Sequence, residues 1–294
     1  MATFSTSASI GVSDAGASTQ STGNVVVASD AIVYALVVNS DATPLAPTGV
    51  TWDPSGANQA FTQLGTTLTI TSFGRASLWR IITPTAGTAP VRASWSGNQT
   101  ERTVIVWVGT NIDTATPNET PVTATGTNTT PTATANTGIV SGDMVVTFGA
   151  YQHALTTART FNSPTGGTNV NERQDTASSP DGYSGGAVMD AEATGTSISP
   201  QWTMSGAVDG WGIFVVPLND GVTSTRAQQG SRFGADDGSE SAHTWLAAQG
   251  ADVSVAPDTP FRVRLGVQAT GDPAAAAYQL EWRKVGDSNW TKAE

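Results

Sequence analysis

Short apolar or alternating segments recur about every 8–15 residues between Thr3 and Leu218, and turn-forming Gly, Pro, Asn and Asp separate them. This spacing is typical of antiparallel β structure, in which strands are short and side chains alternate between two faces. We therefore expect an all-β, jelly-roll-like antiparallel sandwich. The pattern predicts strands at Asn24–Ala28, Ala31–Val38, Thr48–Trp52, Thr67–Thr71, Ala76–Ile82, Val91–Trp95, Thr103–Val108, Asp143–Tyr151, Gly185–Asp190 and Gly212–Leu218.

Several of these strands carry apolar side chains on both faces. Leu78 and Trp79 are neighbours in an alternating strand, so they point to opposite faces and cannot share one core. The runs 143–148 and 211–217 are almost continuously apolar, which suits strands covered on both sides. The sequence predicts that at least one sheet meets a second packing surface.

Two segments lack large apolar side chains. Residues 110–137 are mostly Thr, Asn, Pro and Ala, and we interpret them as a long surface connection within one domain. A linker between two half-domains is the alternative interpretation. Residues 1–24 predict an N-terminal arm before a sandwich domain at 25–220.

A second pattern begins after Pro217, where Asn219-Asp220-Gly221 predicts a turn. In 261–267 Phe, Val, Leu and Val alternate with two arginines and a glycine, and 278–284 alternates as well. We expect a small immunoglobulin-like or fibronectin-like sandwich at 221–294. Its predicted strands are Ser231–Phe233, Thr244–Leu246, Asp252–Val255, Phe261–Val267, Tyr278–Trp282 and Asn289–Lys292.

Charge and composition narrow the possible partners. The chain has 294 residues, a net charge of −11 and no cysteine. Its two lysines, Lys284 and Lys292, lie near the end, and its arginines are scattered, so no basic cluster for nucleic acid is expected. The absence of cysteine excludes disulfides and thiolate metal sites. With neither a long apolar stretch nor a signal-peptide pattern, we expect cytoplasmic synthesis and no membrane insertion.

The candidate catalytic residues do not form a recognisable motif. The two histidines, His153 and His243, are about ninety residues apart, and Tyr183-Ser184-Gly185-Gly186 does not complete the Gly-x-Ser-x-Gly pattern of hydrolases. Paired carboxylates could support glycoside hydrolysis, but the candidates stand mostly in turn-like contexts, where carboxylates are solvated. Those candidates are Glu101, Glu119, Glu172, Asp175, Asp181, Asp190, Glu192 and Asp209. We therefore predict no catalytic site and no cofactor.

Binding chemistry has two further candidates. Asp236-Asp237-Gly238-Ser239-Glu240 could hold calcium through oxygens, but a β-turn is the favoured interpretation and no metal site is predicted. Aromatic faces can stack on sugar rings, although core packing is favoured for most tryptophans. The tryptophans considered are Trp52, Trp95, Trp107, Trp202 and Trp211. The Asn-x-Ser/Thr sequences at Asn98, Asn118, Asn128 and Asn289 are expected by chance in a chain with 45 threonines.

Two parts of the chain resemble virion-associated β-sandwich proteins of tailed phages. Arg75–Arg80, followed by Pro84–Gly97, resembles a surface module in which a strand leads through a Pro-x-x-Gly-Thr turn into a strand closing on Ser-Gly. The run 211–218 matches the usual last strand of that module. Residues 232–248, 261–264 and 278–283 are similar to an immunoglobulin-like repeat of such virions. The resemblance implies a virion surface protein.

The expected function is therefore a non-enzymatic structural protein of a tailed-phage-like particle, made in the host cytoplasm. It would act as a head decoration, head fibre or tail appendage through contacts with other virion proteins, and we expect a homo-oligomer. A carbohydrate-binding module for host attachment is the first alternative. A glycoside hydrolase on a β scaffold is a disfavoured second one.

Overall fold

The chain divides into two compact units, Met1–Gly221 (unit 1) and Val222–Glu294 (unit 2), one residue from the predicted boundary. The computed structural model describes residues 2–13, 15–52, 56, 58–72, 74–152, 159–177, 184–204, 209–221, 225–235, 244–251, 253–256, 259–270, 281–282 and 291–292. The predicted all-β, antiparallel sandwich class is confirmed: 67% of the described residues lie in strands. No helix in the described part of the chain is long and apolar enough to cross a membrane.

The described residues of unit 1 form sixteen strands. They are β1 (Thr3–Ser13), β2 (Ala17–Val27), β3 (Ile32–Ser40), β4 (Gly49–Trp52), β5 (Gln59–Ala60), β6 (Thr62–Thr71), β7 (Gly74–Ile82), β8 (Gly87–Gln99), β9 (Glu101–Thr110), β10 (Val122–Gly126), β11 (Met144–Gln152), β12 (Arg159–Thr165), β13 (Gly167–Ala177), β14 (Gly185–Ala193), β15 (Ser199–Met204) and β16 (Gly210–Pro217).

These strands form antiparallel sheets. The first central sheet has the order β1-β9-β3-β7-β6, and the second central sheet has the order β10-β16-β11-β14-β13. The outer sheet is β2-β8-β4-β5, and β12 pairs with β15 alone. Neighbouring strands in each sheet are mostly distant in sequence, as in the pairing of β1 with β9.

The sheets stack as four layers around three apolar cores. Leu78 belongs to the core between the two central sheets, whereas Trp79 belongs to the core between the first central sheet and the outer sheet. In the second central sheet, Val146 faces the first of these cores and Val145 faces a third core beneath β15. The prediction that these strands meet a second packing surface is confirmed, and that surface belongs to the same chain.

Residues 1–24 do not form the expected arm before the sandwich domain, because they form β1 and most of β2 within unit 1. Ala2 is fully buried, and Phe4 and Ile10 pack against the core between the central sheets. The buried Arg102 guanidinium donates to Ser13 Oγ at 3.0 Å and to the backbone carbonyls of Ala15 and Thr19. The small polar side chains of residues 1–24 predicted an arm. Pairing of β1 with β9 and of β2 with β8, together with the Arg102 hydrogen bonds, instead holds the segment within unit 1.

The stretch 110–137 is also more structured than the expected surface connection. Residues 122–126 form β10, which pairs with β16. Ala133 and Ala135 are buried in the third core together with Ile139, which lies just beyond this stretch. Alanines are small enough to pack closely under a sheet, so a segment without large apolar residues still completes a layer.

In unit 2 the described strands are β17 (Thr225–Ala235), β18 (Phe261–Thr270), β19 (Glu281–Trp282) and β20 (Thr291–Lys292). β17 pairs with β18 and β19 with β20, both antiparallel. Arg232 and Arg264 face each other across the first pair, and both stack on Trp245, at 4.1 and 5.6 Å from its ring centre. The aromatic face offsets the repulsion between two opposed cations.

Candidate functional site

A cavity of about 610 Å³ opens where several central strands of unit 1 begin or end. β3 and β11 end there at Ser40 and Gln152, β9 begins there at Glu101, and Asp209 immediately precedes β16. Its volume falls within the range of small-ligand pockets. The described lining residues are Ser40, Asp41, Ala42, Thr71, Ser72, Thr100, Glu101, Gln152 and Asp209.

The inner polar part of this cavity is held in one arrangement by Gln152. Its side chain is 2% exposed, donates from Nε2 to Ser40 Oγ at 2.6 Å and accepts a hydrogen bond from the Thr71 hydroxyl. A Cβ at Gly74 would lie 2.5 Å from the Gln152 amide carbon, so a larger residue there would displace the amide from this arrangement. The amide therefore orients the Ser40 and Thr71 hydroxyls.

Asp41 is fixed by the turn beside the cavity. Its carboxylate accepts hydrogen bonds from the Thr43 amide at 3.1 Å, the Thr100 amide at 2.8 Å and the Thr100 hydroxyl at 2.7 Å. Burial raises the pKa of Asp41, but these hydrogen bonds outweigh burial and hold the pKa below its ordinary value. Asp41 is therefore an ionised, preoriented acceptor at neutral pH.

The structure brings together two of the carboxylates considered from the sequence, Glu101 and Asp209, in this cavity. Asp190 instead lies 1% exposed in the interior, where Arg173 binds it from Nε and Nη2 at 2.6 and 2.9 Å. Trp107 Nε1 donates to the same carboxylate at 3.0 Å. Asp190 thus joins the two central sheets as a structural group.

The remaining described candidates also have structural partners. Asp175 lies 2.6 Å from the Tyr151 hydroxyl, and Glu192 accepts a hydrogen bond from the Asn169 amide at 2.7 Å. Glu172 lies on the edge strand β13 between its two register shifts, where it pairs with Met189.

Asp143 has a carboxyl group with a raised pKa, and it lies far from the cavity. Burial raises the pKa of Asp143, and the charges of Asp220 and Glu119 add to this effect against a hydrogen bond from Val140. Asp143 precedes β11, whereas Gln152 ends it, which separates them by roughly 30 Å at about 3.3 Å per residue. Asp143 is therefore too distant to act as a general acid beside Asp41.

The five tryptophans considered as a sugar platform are all buried, at 0 to 4% exposure. Trp202 covers Gly149 and Trp211 covers Gly126 so closely that a Cβ would overlap either ring. Trp52 Nε1 donates to the Thr85 carbonyl at 3.0 Å. These rings fill cores and offer no face to a sugar.

Several sequence candidates lie outside the described residues: His153, Asp181, Tyr183, the segment 236–240, His243 and Asn289. Ser184 is buried and close to the Thr103 hydroxyl, at 3.3 Å between their oxygens. The Asn118 side chain is engaged by Tyr34 and Arg80, at 2.8 and 2.6 Å. Within the described ranges, no group of three potential metal ligands converges.

Sequence reasoning missed Asp41, Ser40 and Gln152 as members of one site. Each stands at the end of a strand, but the strands are up to 112 residues apart in the chain. Their convergence follows from sheet stacking, which the local pattern does not encode. Comparisons with protein-family models, curated proteins and solved structures find no match to this chain.

Proposed function

We propose that the chain is a non-enzymatic structural protein on the surface of a tailed-phage-like particle, where it acts through protein–protein contacts. The observation that carries the proposal is the self-contained, four-layer packing of unit 1. Both faces of each central sheet are buried by the same chain, so the unit is a rigid block that needs no partner to complete its cores. Such a block suits a protein that must persist outside a cell.

The edges of this block affect how it would contact its neighbours. Register shifts occur on the edge strands β1, β2, β6 and β13. The pairings at the centre of the two central sheets are regular: β3 with β7 and β9, and β11 with β14 and β16. Bulged edges resist strand addition. The chain would therefore contact virion proteins, and further copies of itself, through turns and the surface of the outer sheet. It would not add a strand to a neighbouring sheet.

The exposed side of the outer sheet is mostly polar, with Val26 as an exposed apolar residue, and suits reversible assembly. Thr88, Arg92 and Ser96 are exposed on β8, while Val91, Ala93 and Trp95 of the same strand are buried. A polar contact surface keeps the free subunit soluble before it is added to a particle.

The proposal is tested on particles from the native source. Density-gradient fractions should contain the chain by mass spectrometry, and antibodies against unit 1 should label intact particles on their outside in electron microscopy. An internal particle protein serves as the control that must not label. Finding the chain in soluble fractions but not in particles, or glycoside hydrolysis by the purified protein, would overturn the proposal.

A further inference from the structure

The cavity at the ends of the central strands combines two kinds of lining. Among the lining residues, Thr71, Thr100 and Ala42 have methyl groups, while Ser40, Asp41 and Asp209 have hydroxyl or carboxylate oxygens. A ligand that fits this lining has apolar C–H surface together with several hydrogen-bond donors. Sugar rings have both, because their C–H faces are apolar and their rims carry hydroxyl groups.

The polar groups of the cavity are already oriented in the free protein. The Gln152 amide, which is 2% exposed, fixes Ser40, so the serine oxygen accepts one hydrogen bond and can still donate its own O–H. The Asp41 carboxylate is oriented by the Thr43 amide and by the Thr100 amide and hydroxyl, which occupy most of its roughly four lone-pair sites and leave little more than one for a ligand hydroxyl. The backbone of Asp209 is fixed next to Gln152, because its amide donates to the Gln152 carbonyl at 3.1 Å. Preorganisation lowers the entropic cost of binding.

The negative charge of the cavity lining disfavours anionic ligands. The described lining contains Asp41, Glu101 and Asp209 and no lysine or arginine. Phosphate groups and acidic sugars would be repelled, and a carboxylate with an uncharged hydroxyl donor forms a stronger hydrogen bond than two neutral groups do. The lining therefore favours an uncharged polyhydroxylated ligand.

We propose that this cavity binds an uncharged mono- or disaccharide, with Asp41, Ser40 and Asp209 as hydrogen-bonding residues. The inference goes beyond the structural role and does not depend on it, because binding is a property of the purified chain. It also places saccharide recognition away from the tryptophans, which are buried.

The test uses the full-length protein and saturation-transfer NMR, followed by calorimetry. The probes are glucose, galactose, N-acetylglucosamine and their common disaccharides, with glucuronate and galacturonate as acidic comparators. At least one neutral probe should bind, and its acidic counterpart should bind at least tenfold more weakly. If no neutral probe binds, or if the acidic sugars bind equally well, the proposal is overturned.

A pair of variants assigns the binding to the cavity. Asp209→Ala removes an exposed carboxylate at the cavity and should weaken binding of the neutral probe roughly tenfold, the typical loss for a hydrogen bond to a charged group. Asp30→Ala is the matched control, because this exposed aspartate precedes β3 at the end opposite Ser40. Equal affinity of both variants would overturn the assignment, and thermal melts verify that each is folded.

Discussion

The buried pair of Asp190 and Arg173 gives the sharpest stability prediction. Asp190→Ala removes the acceptor shared by Arg173 and Trp107, two side chains that reach it from different sheets. An orphaned Trp107 N–H costs about 1–3 kcal/mol, and lost hydrogen bonds to the charged guanidinium cost about 1.5–3 kcal/mol. The Arg173 side chain is 23% exposed and regains some hydration, so we expect a total loss of about 3–5 kcal/mol.

The assay is urea unfolding followed by tryptophan fluorescence, since six of the nine tryptophans lie in unit 1. A loss of this size is a large share of the usual 5–15 kcal/mol stability of a domain. Glu192→Gln on the same strand is the control, and its effect should stay within about 0.5–1 kcal/mol because its side chain is partly exposed. If Asp190→Ala loses less than about 1 kcal/mol, the network does not join the central sheets.

Three further predictions concern packing, pH and the N-terminal strand β1. Gly149→Ala should destabilise unit 1 by about 1–3 kcal/mol, because its Cβ would overlap Trp202, whereas Gly195→Ala, with open space around it, should be close to neutral in the same melts. Burial raises the pKa of Asp143 in the folded state, so its contribution to stability falls as pH rises through that pKa. Asp143→Asn should therefore melt like the parent near pH 3 and higher than the parent at pH 7; a gain confined to low pH would contradict this sign. Deleting residues 2–13 should expose the core to limited proteolysis, and an unchanged digestion pattern would refute the role assigned to β1.

The sequence predicted the all-β class and the strands with apolar side chains on both faces, because both features depend on local sequence pattern. Alternation alone placed Leu78 and Trp79 on opposite faces, and both are buried in separate cores. The sequence did not predict β1, because its side chains are mostly small and polar and its position depends on β9, about a hundred residues later. Ala133 was missed for a related reason, since small residues become core only when a sheet lies above them.

The candidate site was less predictable than the fold. Glu101 and Asp209 were recognised as carboxylates of interest, but the sequence gives no distance between residues that stacked sheets bring together. Asp190 was expected among solvated turn carboxylates, yet its partners Arg173 and Trp107 hold it in the interior. Its burial depends on two long-range contacts that no local pattern contains.

Electron cryomicroscopy of intact particles from the native source tests whether unit 1 lies on the particle surface. We expect external density into which the four-layer block of unit 1 fits as one rigid body, in contact with neighbouring proteins through its turns or outer sheet. Particles whose surface is complete without such density, or a fit that requires the layers to separate, would contradict this expectation.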